Sequence, residues 1–312
     1  MPKHLLRVSD LSAAELSRLV EASIAFKAAP GRASELLRGS SVTMYFSKPS
    51  TRTRISFQTA VHRLGGLPIL CGPNELQLGR GETIEDSARV ISRMSRAFVI
   101  RTFADSDVEA FARAATIPVI NALTDGHHPC QAVADLMTLR ERFGSLEGRT
   151  LTYVGAGNNV THSLVEACAL AGMNVRVATP SSLPASAEVI AQAKGLGGRG
   201  EIVVTSDVRA AVAGSDCVYT DTWLSMGDPP EEREERLRVL DAYRVTSALM
   251  ALAKPTAVFM HCLPAHRGEE VTDEVADSRA SVIFDQAENR LHTSLAILEL
   301  LVGCLLYTSR CV

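Results

Sequence analysis

Short apolar runs alternate along the chain with longer stretches whose apolar positions recur at helical spacing. The runs at 41–46, 97–102, 118–122, 150–154, 174–178, 201–205, 216–220, 256–261 and 281–284 predict strands. Several are almost continuously apolar, which suits strands buried on both faces of a parallel sheet. Amphipathic stretches at 11–29, 54–64, 108–115, 130–143 and 164–171 predict helices between them. Alternation of this kind predicts an α/β fold with right-handed crossovers. Gly144, Ser145 and Gly148 follow a long helical stretch and precede a new strand. The chain therefore divides there into two domains, 1–142 and 149–286, each a mainly parallel β-sheet flanked by helices. A helical run closes the chain at 287–306, followed by an unpatterned tail to 312.

Composition narrows the function classes. At 312 residues with 46% hydrophobic and 21% charged positions, the chain is an ordinary globular sequence of about two domains. No apolar run approaches the roughly 18 residues of a membrane span. No basic start with an apolar core marks a secretory signal, so a cytoplasmic setting is expected. A net charge of −3 gives no electrostatic footprint for nucleic acid. Yet 27 of the 32 basic residues are arginine, the side chain that grips phosphate and carboxylate bidentately. The seven cysteines are widely spaced and form no CxxC, which argues against a disulfide framework or a structural zinc site. The acidic-basic run 231–238 reads as a solvated helix face.

Five segments carry candidate chemistry. Ser50-Thr51-Arg52-Thr53-Arg54 lies between a strand and a helix, where free N–H groups, hydroxyls and guanidinium forks can converge on an anion. An ordinary capped helix is the plain alternative, and the absence of GxxxxGK[ST] excludes a nucleotide P-loop. His128-Pro129-Cys130-Gln131 opens a helix, with Pro129 suited to its first turn. There His128 either donates to a carbonyl oxygen as a neutral imidazole or simply caps. Gly155-Ala156-Gly157-Asn158-Asn159 follows a strand as a dinucleotide fingerprint does, but Val160 stands at the third glycine position. No acid ends the next strand to grip a ribose. Asp221 follows an apolar strand and precedes Ser225-Met226-Gly227, where it either binds an ammonium group or caps. His261-Cys262-Leu263-Pro264 follows another strand, and His261, Cys262 and His266 supply too few well-spaced ligands for a metal.

In this order the motifs are specific: residues 4–302 resemble the aspartate/ornithine carbamoyltransferase family. The carriers are Ser50–Arg54, His128–Gln131, Asn159 in the Gly-x-Gly-Asn-Asn turn, Asp221 with Ser225-Met226-Gly227, and His261–Pro264. The last two sort with ornithine rather than aspartate as acceptor. The resemblance implies carbamoyl transfer from carbamoyl phosphate to the δ-amine of L-ornithine, giving citrulline, with no cofactor and no metal. It implies that Ser50, Thr51, Arg52, Thr53 and Arg101 hold the phosphate, and that Arg290 completes the carbamoyl phosphate site. His128, Pro129, Cys130, Gln131, Cys262, Leu263 and Gln77 complete the carbamoyl phosphate site. Asn159, Asp221, Ser225 and Met226 hold ornithine, and the catalytic set is Arg52, Arg101, His128, Asp221 and Cys262. It further implies a homotrimer and a C-terminal helix that returns to the first domain. One departure stands out: Ala156 replaces the family's usual aspartate. Transfer to putrescine or an N-acylated ornithine, or a nicotinamide-dependent dehydrogenase built on the Gly-x-Gly turn, are the alternatives.

Overall fold

The computed structural model describes residues 3–30, 35–76, 81–224 and 230–309. Among the described residues nine parallel strands form two sheets, and the chain splits into two compact units. The first unit is 1–137 with 288–312, and the second is 138–287.

In the first unit, β1 (Ser41–Phe46), β2 (Leu67–Cys71), β3 (Ala97–Arg101) and β4 (Val119–Leu123) are ordered β2-β1-β3-β4. The helices of this part of the chain are α1 (Ala13–Ala28), α2 (Arg52–Arg63), α3 (Ile84–Met94), α4 (Asp105–Ala114) and the start of α5 (Pro129–Phe143). Its core includes Phe98 stacked on Phe111, ring centroids 4.0 Å apart. Strand β2 carries Pro68, which removes a ladder donor and hides the strand from a pattern search. It forms because it lies at the sheet edge, where a missing N–H is tolerated.

In the second unit, β5 (Thr150–Val154), β6 (Asn174–Ala178), β7 (Ile202–Thr205), β8 (Cys217–Thr220) and β9 (Val258–His261) are ordered β7-β6-β5-β8-β9. Helices α6 (Asn159–Leu170), α7 (Ala187–Lys194), α8 (Val208–Val212), α9 (Arg233–Leu240), α10 (Ser247–Met250) and α11 (Asp273–Ala276) accompany them. The expected strand at 281–284 does not form. Only Ser281 bridges to Phe259, and α12 (Ile283–Ser309) begins two residues later. A short apolar run such as Val282-Ile283-Phe284 has no period that separates strand from buried helix start. From Glu288 onward α12 belongs to the first unit, as expected of the C-terminal helix.

An ionic knot ties β5 to β8. The buried Asp216 carboxylate accepts from Arg149 Nη1 (2.9 Å), Lys254 Nζ (2.8 Å) and Thr150 N–H (3.0 Å). Burial alone raises its pKa, but the bonds from Lys254, Thr150 and Arg149 outweigh it and hold the carboxyl below its ordinary value. The stabilisation is therefore fully present above the unfolded carboxyl's pKa of about 4 and fades as pH falls through the lower folded value. Asp216→Asn is expected to cost about 2 kcal/mol at pH 7. Urea melts at pH 7 and pH 3 check this, since the difference between variant and wild type shrinks at the acid end.

Candidate active site

The first half-site gathers at the carboxyl end of the first sheet. Register Phe46↔Arg101 brings the 47–54 turn beside Arg101, and Ser47 N–H donates to Arg101 O at 2.9 Å. The β3–β4 register shifts between Ile100 and Arg101, an irregularity that re-aims a side chain at a strand end. Thr51 stands at the N-cap of α2, yet its hydroxyl makes no capping bond, so the expected capping role is not the one it plays. Pro129 opens α5 as its spacing predicts.

Arg290 joins these pieces. Its guanidinium donates to Thr53 Oγ1 at 2.8 Å and to Gln131 Oε1, and Gln131 Nε2 in turn donates to Asp135 at 2.8 Å. Arg290, Arg101, His128 and Gln131 are all buried. The His128 imidazole is held well below its ordinary pKa, first by burial and then by the positive charges of Arg290, Arg101 and Arg52. It is therefore a neutral ring within a cationic cluster, suited to polarising an oxygen rather than removing a proton. Burial pushes the Cys130 thiol up to about 12, against a smaller opposing pull from Arg290. Its Sγ donates to Asn121 O at 3.3 Å, so it packs as a neutral thiol. Lys48, adjacent to the motif and unassigned from sequence, is buried, pairs with Asp125 and lies 4.1 Å from the Phe103 ring centroid. Its place inside Ser47-Lys48-Pro49-Ser50 was the only signal available. Gln77 lies outside the described residues.

The second half-site gathers at the carboxyl ends of β5, β8 and β9, where open parallel sheets bind ligands. Gly155 sits at φ +141°, a conformation that favours glycine. Gly157 is forced by contact instead: a Cβ there would lie 2.2 Å from Ala185 N, and its own N–H donates to Leu183 O at 2.9 Å. In a dinucleotide site the second glycine makes room for pyrophosphate; here the chain's own 183–185 backbone fills that room. This argues against the dehydrogenase alternative.

Asp221 is the centre of the second half-site. Its Oδ2 accepts from Asn158 Nδ2 (2.8 Å), and its Oδ1 from Thr222 N–H (2.8 Å) and Cys262 Sγ (2.8 Å). It is thus a hydrogen-bonded carboxylate, not the helix cap that the sequence left open. Asn158 performs the capping, accepting Thr161 N–H at 3.0 Å, and Asn159 is the first residue of α6. Ala156 is buried, and its carbonyl accepts from Tyr153 Oη at 2.8 Å. Asp221, His261 and Cys262 present ligand-type atoms within 4.8 Å of one another. However, His261 Nδ1 accepts Leu263 N–H at 2.8 Å and Nε2 meets Glu270 at 3.1 Å, so both ring nitrogens are engaged. Cys262 Sγ donates to the Asp221 carboxylate. Ser225 and Met226 lie outside the described residues.

Comparison with known proteins places these half-sites in context. Residues 3–141 match the family model described as aspartate/ornithine carbamoyltransferase, carbamoyl-P binding domain. Residues 147–301 match its Asp/Orn binding domain. The chain is 47% identical over 305 residues to an ornithine carbamoyltransferase of Methanoculleus marisnigri, covering 97% of this chain and 98% of that one. It is 49% identical over 307 residues to one from Parafrankia, covering 96% of each. The ornithine carbamoyltransferase structure from Pyrococcus furiosus superposes with TM-score 0.91 at 46% identity over 97% of both chains.

Proposed function

The chain belongs to the aspartate/ornithine carbamoyltransferase family, and from that premise we propose that it transfers the carbamoyl group of carbamoyl phosphate to the δ-amine of L-ornithine. The observation that carries the reading is that each unit holds a site of its own character. One is a buried cluster of arginines around a neutral His128. The other is a carboxylate, Asp221, held by three donors.

The neutral amine attacks the carbonyl carbon, a tetrahedral oxyanion forms, and its collapse breaks the C–O bond to phosphate; the nitrogen gives up one proton, which ends on the departing phosphate as hydrogen phosphate. The protein's work is positioning and charge stabilisation. Ser50, Thr51, Arg52, Thr53 and Arg101 hold the phosphate oxygens, and Arg52 and Arg101 take up charge as it leaves. Arg290 fixes Gln131 and Thr53, while His128 and Gln131 polarise the carbamoyl group. Gln77, Pro129, Cys130 and Leu263 complete the walls of that site. Asp221 receives the α-ammonium group of ornithine, and Asn159, Ser225 and Met226 hold the rest of the amino acid. Cys262, hydrogen-bonded to Asp221, orients the attacking amine. No step requires a metal or cofactor.

The enzyme in this reading serves arginine metabolism in the cytoplasm, and it works as a homotrimer. No helix among the described residues is long and apolar enough to cross a membrane. The test is citrulline formation from carbamoyl phosphate with ornithine, putrescine, N-acetylornithine and aspartate offered in parallel. Product with ornithine alone is expected; preference for another amine would overturn the assignment.

A further inference from the structure

Cys262 is clamped between two neighbours by a chain of buried polar groups. His261 closes β9, and its N–H donates to Gln286 Oε1 at 3.0 Å. Leu263 is the one non-glycine residue at positive φ among those described, at +58°. A side chain with a Cβ is disfavoured in this left-handed conformation. The Leu263 N–H donates to His261 Nδ1 at 2.8 Å, which holds the unfavourable turn. For Nδ1 to accept, the ring proton must sit on Nε2, and in a fully buried pocket that proton needs an acceptor. Glu270 Oε1 supplies it at 3.1 Å. Glu270 is itself fully buried. The same oxygen accepts the His266 N–H, while the Thr222 hydroxyl donates to Leu224 O at 3.0 Å and takes His266 Nδ1–H at 3.0 Å. Thr222 N–H is one of the donors on Asp221.

We infer that Glu270 is a positioning residue for the transfer reaction: acting through His261, it fixes the ring tautomer that holds Leu263, and thereby keeps the Cys262 thiol on Asp221. The inference rests on the proposed carbamoyl transfer. Glu270 is fully buried behind His261, so its loss should fall on use of the amine more than on use of carbamoyl phosphate.

Glu270→Ala is expected to lower kcat/KM for ornithine about 10- to 100-fold, with a smaller rise in KM for carbamoyl phosphate, transmitted through Leu263. In Glu270→Gln the amide oxygen can accept both bonds, so this variant should remain within about threefold of wild type. In a Cys262→Ser background Glu270→Ala should add less than about threefold, because the effect travels through Cys262. If Glu270→Ala does not fold, two His261 variants decide. His261→Asn offers its amide oxygen where Nδ1 stood and should outperform His261→Gln, which reaches Glu270 but loses the Leu263 acceptor. The inference fails if Glu270→Ala is silent, if Glu270→Gln is equally impaired, if the loss is undiminished in Cys262→Ser, or if the His261 order reverses. A wild-type enzyme that makes no citrulline would instead overturn the functional proposal itself.

Discussion

Replacing His128 by alanine is expected to lower the turnover of carbamoyl transfer by on the order of 10²–10³. The ring is buried just before the start of α5. Burial, then Arg290, Arg101 and Arg52, disfavour its protonated form, which fits the proposed role of a neutral hydrogen-bond donor to an oxygen that gains charge in the transition state. A donor of this kind matters more to the oxyanion than to the ground-state carbonyl, so the loss should fall on kcat more than on KM. KM for ornithine, held through Asp221 and Asn159, should change little. The depressed pKa also fixes a sign for pH dependence. His128 stays neutral as pH falls from 8 to 6.5, so it contributes no inflection in the ordinary histidine range. Steady-state kinetics of His128→Ala and His128→Gln across that range check both points. Turnover within about threefold of wild type, or a wild-type inflection near pH 6.5 that the variants abolish, would sink the assignment.

Much of this arrangement was legible because its physics is local. Strands β1, β5 and β6 coincide with the runs that predict them, each carrying buried apolar residues such as Val42, Leu151 and Val175. The Ser-Thr-Arg-Thr-Arg and His-Pro-x-Gln segments announce themselves as helix starts, where anion chemistry is encoded within a few residues. Other features depend on tertiary placement. Pro68 hides β2 until the sheet order shows it to be an edge strand. The run at 281–284 carries no period to reveal that it opens a helix. Asp221 read equally as a cap or a ligand, because its donors come from residues 158 and 262, far away in sequence. Glu270 was invisible for the same reason: beside Glu269 it looks like any surface carboxylate, and only packing against His261 distinguishes it. Arg290 was flagged as an anion contact, but its bonds to Thr53 and Gln131 join segments more than 150 residues distant.

Asp221→Asn is expected to reduce kcat/KM for ornithine by on the order of 10²–10³, from two losses that coincide. The first is charge: truncating one partner of a buried, hydrogen-bonded ion pair costs about 2–5 kcal/mol, and the α-ammonium of ornithine would lose its counter-ion. The second is donor geometry. The carboxylate accepts three bonds, from Asn158, Thr222 and Cys262, and an amide at 221 can offer only one oxygen. Asn158 cannot flip to compensate, because its own oxygen caps α6 by accepting Thr161 N–H. The new NH₂ must therefore face a donor on one side, either displacing Asn158 or driving the Cys262 thiol away. KM for carbamoyl phosphate should stay within about twofold, since Arg52, Arg101, His128 and Arg290 are untouched. Isothermal titration with each substrate, beside steady-state kinetics, separates the effects. Equal weakening of both substrates would mean that Asp221 supports the fold rather than the amine. A loss below threefold would remove it from the ornithine site. A large, ornithine-specific loss with the carbamoyl phosphate site intact is the signature of a carboxylate that both receives the amino acid and aligns the thiol beside it.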